Sequence, residues 1–174
     1  MKSYRLLLFD RDGTLTYENR DYHRELMALK AYPFTGSLLR DLHQAGHQLA
    51  VVTNQSGVAR GYWSLKDVEA VHQRFCREWG VDPIFYVCPH HPGDGCPCRK
   101  PQPGLIRQAM AHHRSGPEAT LMVGDSPADF GAAQSAGVAF ALVLTGRGRL
   151  TRAHLPQPPE MVLDSIADLR AYVV

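Results

Sequence analysis

The chain has 174 residues, 44% hydrophobic and 21% charged, which suits one globular domain (1–174) with a single sizeable core. The formal net charge is +2 and no five like charges run together, so neither nucleic acid nor a membrane surface is an expected partner. The longest apolar runs, such as VAFALVL at 138–144, are too short to cross a bilayer, and Asp10 and Arg11 break the first apolar segment where a secretory signal would continue.

YRLLLF (4–9) is continuously apolar, as a strand covered on both faces must be. SLLRDLHQAG (37–46) reads as an amphipathic helix with Gly46 as its C-cap, and QLAVV (48–52) as the second strand. Ser64 and Asp67 make a capping-box pattern, opening a helix with apolar residues at 65, 68, 71, 75 and 79 and closing at Gly80. IFYVC (84–88) is the third strand and runs into a loop rich in Cys, Pro and Gly. Pro103 marks a helix start before LIRQAMAHHR. ATLMV (119–123), SPADFGAAQSAG (126–137) and VAFALVL (138–144) read as strand, helix and strand. MVL (161–163) and DSIADLRAYV (164–173) read as a last strand and helix, whereas 147–160 reads as loop. This alternation predicts an α/β fold: a mainly parallel sheet with helices on both faces.

Ligands of an open parallel sheet bind at the carboxyl ends of its strands. Each of four predicted strands delivers polar chemistry there: Asp10-Arg11-Asp12-Gly13-Thr14, Thr53-Asn54-Gln55-Ser56-Gly57, the cysteine loop ending in Arg99-Lys100, and Gly124-Asp125-Ser126. Asp10 and Asp12 share a direction if the extended geometry persists. With Asp125 beside them, such carboxylates repel by roughly 4 kcal/mol per pair at about 4 Å and an effective dielectric near 20. That arrangement calls for a hard cation such as Mg²⁺. Thr53, Asn54 and the glycine-containing turn suit phosphate oxygens, and Lys100 adds a point charge for the same group. Solvated carboxylates in an ordinary turn are the plain alternative for Asp10 and Asp12.

Cys88, His90, Cys96 and Cys98 offer the ligands of a tetrahedral structural zinc site, although the spacing is not that of a zinc finger. A turn carrying free thiols fits the residues as well. A dithiol redox pair lacks the C-x-x-C spacing. His91 competes with His90 as the nitrogen ligand.

DRDGT, TNQSG, the lysine of CRKP and GDSPAD, in this order, resemble the four motifs of the haloacid-dehalogenase (HAD) superfamily, over roughly residues 6–146. The resemblance implies a Rossmann-like HAD fold and a phosphatase. Asp10 would be the nucleophile and Asp12 the general acid and base. Thr53 and Lys100 would hold the phosphoryl group. Asp10, the Asp12 main-chain carbonyl and Asp125 would bind Mg²⁺. Arg11, Asn54, Gln55, Ser56, Arg60, Arg99 and Ser126 join as substrate contacts, with Ser126 equally suited to cap a helix. Asp129 either orients Lys100, sits near the metal or belongs to the helix surface.

The C-x-H…C-x-C-R-K-P pattern is similar to the zinc loop of two HAD families, one acting on a heptose bisphosphate and one on histidinol phosphate. In both, Cys88, His90, Cys96 and Cys98 would bind a structural zinc that positions Arg99 and Lys100. Ser56, Ala59-Arg60-Gly61 and Gly104 lean toward the heptose enzymes and the 7-phosphate of D-glycero-D-manno-heptose 1,7-bisphosphate. Thr16 departs from that pattern, and Glu18, Asp21 or Tyr22 would have to supply its sugar contacts. No large insertion separates the motifs, so no cap domain is expected. Loops 13–35, 56–63 and 88–100 would then select a small phosphorylated metabolite. A cytoplasmic monomer is the expected setting, and a catalytically silent zinc-binding module is the non-enzymatic rival.

Overall fold

The computed structural model describes residues 4–18 and 26–173. Six strands, β1 (Leu6–Phe9), β2 (Gln48–Asn54), β3 (Ile84–Cys88), β4 (Thr120–Gly124), β5 (Ala139–Val143) and β6 (Met161–Leu163), form one sheet in the order β3-β2-β1-β4-β5-β6. Every pairing is parallel. This is the doubly wound arrangement, in which the crossovers change direction between β1 and β4 and open a crevice at their carboxyl ends.

The alternation of side chains along β1 builds two cores. Leu7 and Phe9 pack with Leu38, Leu39 and Leu42 of α1 (Thr35–Gln44) and with Val68, Val71, Phe75 and Trp79 of α2 (Leu65–Trp79). Leu6 and Leu8 face the other way, onto Leu105, Ile106 and Ala109 of α3 (Gly104–His113) and Phe130, Ala132 and Ala133 of α4 (Pro127–Ala136). All four β1 residues are buried, which explains why the strand reads as unbroken hydrophobicity. Between β1 and β2 the described residues hold only the helical turn Leu26–Ala28 and α1, with no inserted layer of strands.

Local signals place the helix ends. Ser64 and Asp67 form the reciprocal capping box of α2, and Gly80 ends it with φ 69°. Ser126 and Asp129 cap α4 in the same way, and Gly137 closes it with φ 73°. β2 extends past the predicted Val52 to Asn54, in register with Cys88 of β3, so the second strand meets the cysteine loop.

One expectation fails. The stretch 147–160 is not all loop: α5 spans Gly148–His154, followed at the C-terminus by the short α6 (Arg170–Val173). Leu150, the large apolar residue of α5, is 72% exposed, so the helix carries no apolar stripe to betray it. It is seated instead by Gly148, where any Cβ would collide with the Val143 carbonyl. No helix of the described residues is long and apolar enough to cross a membrane.

Candidate active site

Phe9 of β1 is paired with Val123 of β4, and Asp10 N–H donates to the Val123 carbonyl at 2.9 Å. Asp10 and Asp125 therefore leave adjacent strands nearly side by side. Asp129, on the first turn of α4, completes the group: one oxygen from each of these carboxylates lies within 4.8 Å of the others. Lys100 points into it from the end of the cysteine loop. Its Nζ donates to Asp10 Oδ1 at 2.6 Å, to Asp129 Oδ1 at 2.6 Å and to the Val52 carbonyl at 2.7 Å, which uses all its N–H bonds. The Asn54 side-chain amide grips the Lys100 backbone in both directions, at 3.0 and 3.1 Å.

The electrostatics follow from this crowding. Burial pushes the Asp10 carboxyl well above the ordinary range; Lys100 opposes this, and Asp129, Asp125 and Asp12 reinforce it. Burial followed by the Asp129 charge raises Asp125 to about 7, against the Arg147 N–H that donates to its Oδ2 at 2.7 Å. For Lys100, burial disfavours the charge, but Asp10 and Asp129 outweigh it and push its pKa up. One ammonium thus faces a set of acids that resist ionising together, a deficit that a divalent cation would fill with all-oxygen ligands.

Asp12 is held apart from this group. Its carboxylate accepts Arg11 Nη2 at 2.9 Å, Gln55 Nε2 at 2.8 Å and Thr16 Oγ1 at 3.4 Å. The bridge between Asp12 and Thr16 uses the Arg11 carbonyl and the Gly13 N–H, so neither bond consumes the Asp12 carbonyl. Thr53 is buried and accepts from Gln55 Nε2 at 2.9 Å.

Several residues expected to touch substrate also hold their neighbours in place. Arg11 is 1% exposed and pairs with Asp12 and His72, while still lining the cleft. Gln55 spends its amide N–H groups on Asp12 and Thr53, and Asn54 spends its amide on Lys100. Arg60 is exposed and lies outside the cleft lining, since the turn Ser56–Tyr62 is tightened by Arg60 N to Ser56 O and Tyr62 N to Gly57 O. Arg11, Asn54, Gln55, Ser56, Arg99 and Ser126 all line the cleft, Ser126 while also capping α4. Asp129 is fully buried, one oxygen on Lys100 and the other on Ser126, and so does not belong to the helix surface.

Four cleft-lining residues escaped the sequence reading of the site or were left undecided: Glu18, Trp63, Ala128 and Arg147. Arg147 reaches Glu18 Oε1 at 2.7 Å across the cleft. No motif signals Arg147, which becomes a neighbour only through the β5–α5 connection. A signal did exist for Trp63: its ring lies where a Cβ on Gly57 would be, so that glycine is required. Asp21 and Tyr22 lie outside the described residues.

At the loop, one ligand atom from each of Cys88, His90, Cys96 and Cys98 falls within 4.8 Å of the rest. Cys98 Sγ is 3.1 Å from Cys88 Sγ and 3.5 Å from Cys96 Sγ, and His90 Nδ1 is 3.2 Å from Cys98 Sγ. Zn–S bonds of about 2.3 Å give tetrahedral edges near 3.8 Å, so this is a slightly contracted version of that geometry. All four cysteines of the chain are free of disulfides. Cys96 is lowered to about 7: its slight burial raises it, but the Arg99 N–H and the Cys98 and Cys88 thiols prevail. His91 is used elsewhere, its Nδ1 accepting from Gly93 N at 3.2 Å.

Comparison with known proteins agrees with this geometry. Residues 97–169 match the HAD-hydrolase-like family profile. The D-glycero-β-D-manno-heptose-1,7-bisphosphate 7-phosphatase of Pseudomonas putida is 39% identical over 167 residues, covering 94% of this chain and 95% of its own. The enzyme of the same name from Neisseria meningitidis is 34% identical over 180 residues, covering 98% and 95%. The crystal structure of the D,D-heptose 1,7-bisphosphate phosphatase of B. bronchiseptica, complexed with magnesium and phosphate, superposes with a TM-score of 0.90 at 34% identity, covering 96% of each chain. The chain belongs to the HAD-like hydrolases, within the family of these heptose bisphosphate phosphatases.

Proposed function

We propose that this chain is a Mg²⁺-dependent phosphatase that removes the 7-phosphate of D-glycero-D-manno-heptose 1,7-bisphosphate through a phospho-Asp10 intermediate. The observation that carries the reading is the ammonium of Lys100 wedged between Asp10 and Asp129 beside Asp125, at the carboxyl edge of a doubly wound sheet. The names of relatives 34–39% identical over nearly the whole chain support the substrate.

In this reading an Asp10 carboxylate oxygen attacks phosphorus as the bond from phosphorus to the sugar oxygen breaks, and Asp12 gives its proton to the departing alkoxide. Asp12, now ionised, takes a proton from water, whose oxygen attacks the acyl phosphate; phosphate leaves and Asp10 is restored. Lys100 and Thr53 hold the phosphoryl oxygens, which requires Lys100 to trade one of its present bonds. Asp10, the Asp12 carbonyl and Asp125 would hold Mg²⁺, which supplies positive charge where phosphoryl charge spreads. Cys88, His90, Cys96 and Cys98 would hold a structural Zn²⁺ that stiffens the loop bearing Arg99 and Lys100. Reduced thiol ligands suit a cytoplasmic setting. The single sheet supports treating residues 1–174 as one catalytic domain.

The test compares kcat/KM for heptose 1,7-bisphosphate, heptose 7-phosphate and histidinol phosphate, with and without Mg²⁺, in the wild type and in D10N. The bisphosphate should lead, and D10N should neither turn over nor accumulate acyl phosphate. Preference for histidinol phosphate moves the chain to the other zinc-loop activity, and no turnover of any ester makes it a silent module.

A further inference from the structure

Two buried groups have no direct part in phosphoryl transfer: Arg11 and His72. Arg11 Nη1 lies 3.0 Å from His72 Nε2. The opposite edge of the same guanidinium meets Asp12, with Nε to Oδ1 at 3.2 Å, Nη2 to Oδ1 at 3.1 Å and Nη2 to Oδ2 at 2.9 Å. A guanidinium only donates, so Nε2 must accept, and His72 is the neutral tautomer with its proton on Nδ1. Burial, and then the Arg11 charge, holds His72 in that state by lowering it to about 3.

The planar fork makes this arrangement directional. Once Nη1 is fixed, the orientation of the Nε–Nη2 edge is fixed too, and with it the carboxylate it grips. His72 itself is rigid: it sits on α2 and its ring stacks on Phe85 of β3 at 3.9 Å between centroids and 13° between planes. Gln55 holds Asp12 Oδ2 from another side at 2.8 Å. The aim of Asp12 is therefore set by α2 and the sheet edge as well as by its own loop.

We infer that His72 is a positioning residue for catalysis: it locks the Arg11 guanidinium so that Asp12 is presented to the leaving-group oxygen. The inference rests on the reading of Asp12 as general acid. A residue that merely fills space would, on removal, slow all substrates alike. Loss of acid alignment instead harms esters of alcohols, whose alkoxides need a proton, far more than p-nitrophenyl phosphate, whose phenolate leaves without one.

The experiment measures kcat/KM for an alkyl sugar phosphate and for p-nitrophenyl phosphate in D12N, H72L, H72Q and R11K holoenzymes. H72L should lose about 10- to 100-fold on the alkyl ester and under about threefold on the aryl ester. H72Q, whose Oε1 accepts in place of Nε2, should restore the alkyl ester to within about threefold of wild type. R11K keeps the charge but lacks the fork, should open the same gap as H72L, and decides the matter if H72L does not fold. Equal losses on both esters, or no loss, in H72L or R11K overturn the inference while D12N still shows the gap. A D12N enzyme without the gap removes the general-acid reading, and this inference with it.

Discussion

Lys100 donates to Asp10 over 2.6 Å with both side chains nearly sealed from solvent, although Asp10 is separated from it by ninety positions. An ammonium so placed compensates the carboxylates now and would face the phosphoryl charge during transfer. K100M should lower kcat/KM by about 10²- to 10³-fold, as loss of one preorganised charge-stabilising group does elsewhere. Steady-state kinetics decide, and a change below about threefold would remove Lys100 from the chemistry.

Asp125 is confined by two glycines. A Cβ on Gly13 (φ 90°) or Gly146 (φ 54°) would collide with its Oδ2, so both positions combine a left-handed backbone with a close approach. G146A should push Asp125 off its present line and raise the Mg²⁺ concentration for half-maximal activity by about 10- to 100-fold. A Mg²⁺ titration of activity checks this; an unchanged midpoint would take Asp125 out of the ion site.

The cysteine cluster lies beside the segment that aims Lys100, since Gln55 N donates to the Cys88 carbonyl at 2.7 Å and Asn54 grips Lys100. C96S should lose bound zinc by elemental analysis, melt several degrees lower, and turn over more slowly at saturating Mg²⁺. A zinc-free C96S with wild-type kcat would falsify the coupling between the loop and catalysis.

His72 makes the fold acid-sensitive. Its folded pKa of about 3 lies below the ordinary 6.5, because burial and Arg11 disfavour the charged ring. As pH falls through about 6.5 the unfolded chain takes up a proton that the folded one refuses, so the contribution of His72 is full above that pH and declines toward about pH 3. The slope from this one site reaches roughly 1.4 kcal/mol per pH unit. Denaturant unfolding at pH 7, 6, 5 and 4 should show H72Q losing stability less steeply than wild type. Parallel slopes would mean that His72 is not neutral in the folded protein.

Elements with strong local signals were legible in advance. Ser64, Asp67 and Gly80 announced both ends of α2, IFYVC announced β3, and the unbroken apolar run announced β1 as a doubly covered strand. α5 was not legible, because its seat is the backbone contact of Gly148 with Val143, which leaves no periodic trace.

The same division runs through the site. Motif order alone pointed to residues that the structure gathers at one edge, Asp10, Asp12, Lys100 and Asp125 among them, since side-chain type and position after a strand depend on local pattern and on the rule that strand ends share an edge. It could not tell which of them also hold their neighbours in place. Arg11, Asn54 and Gln55, read as substrate contacts, line the cleft and also hold Asp12 and Lys100, because partners such as His72 for Arg11, 61 positions away, and Lys100 for Asn54, 46 positions away, are chosen by how the strands and α2 pack. Only tertiary structure decides where a long polar side chain spends its donors: buried groups must be satisfied by whatever the fold brings within about 3 Å.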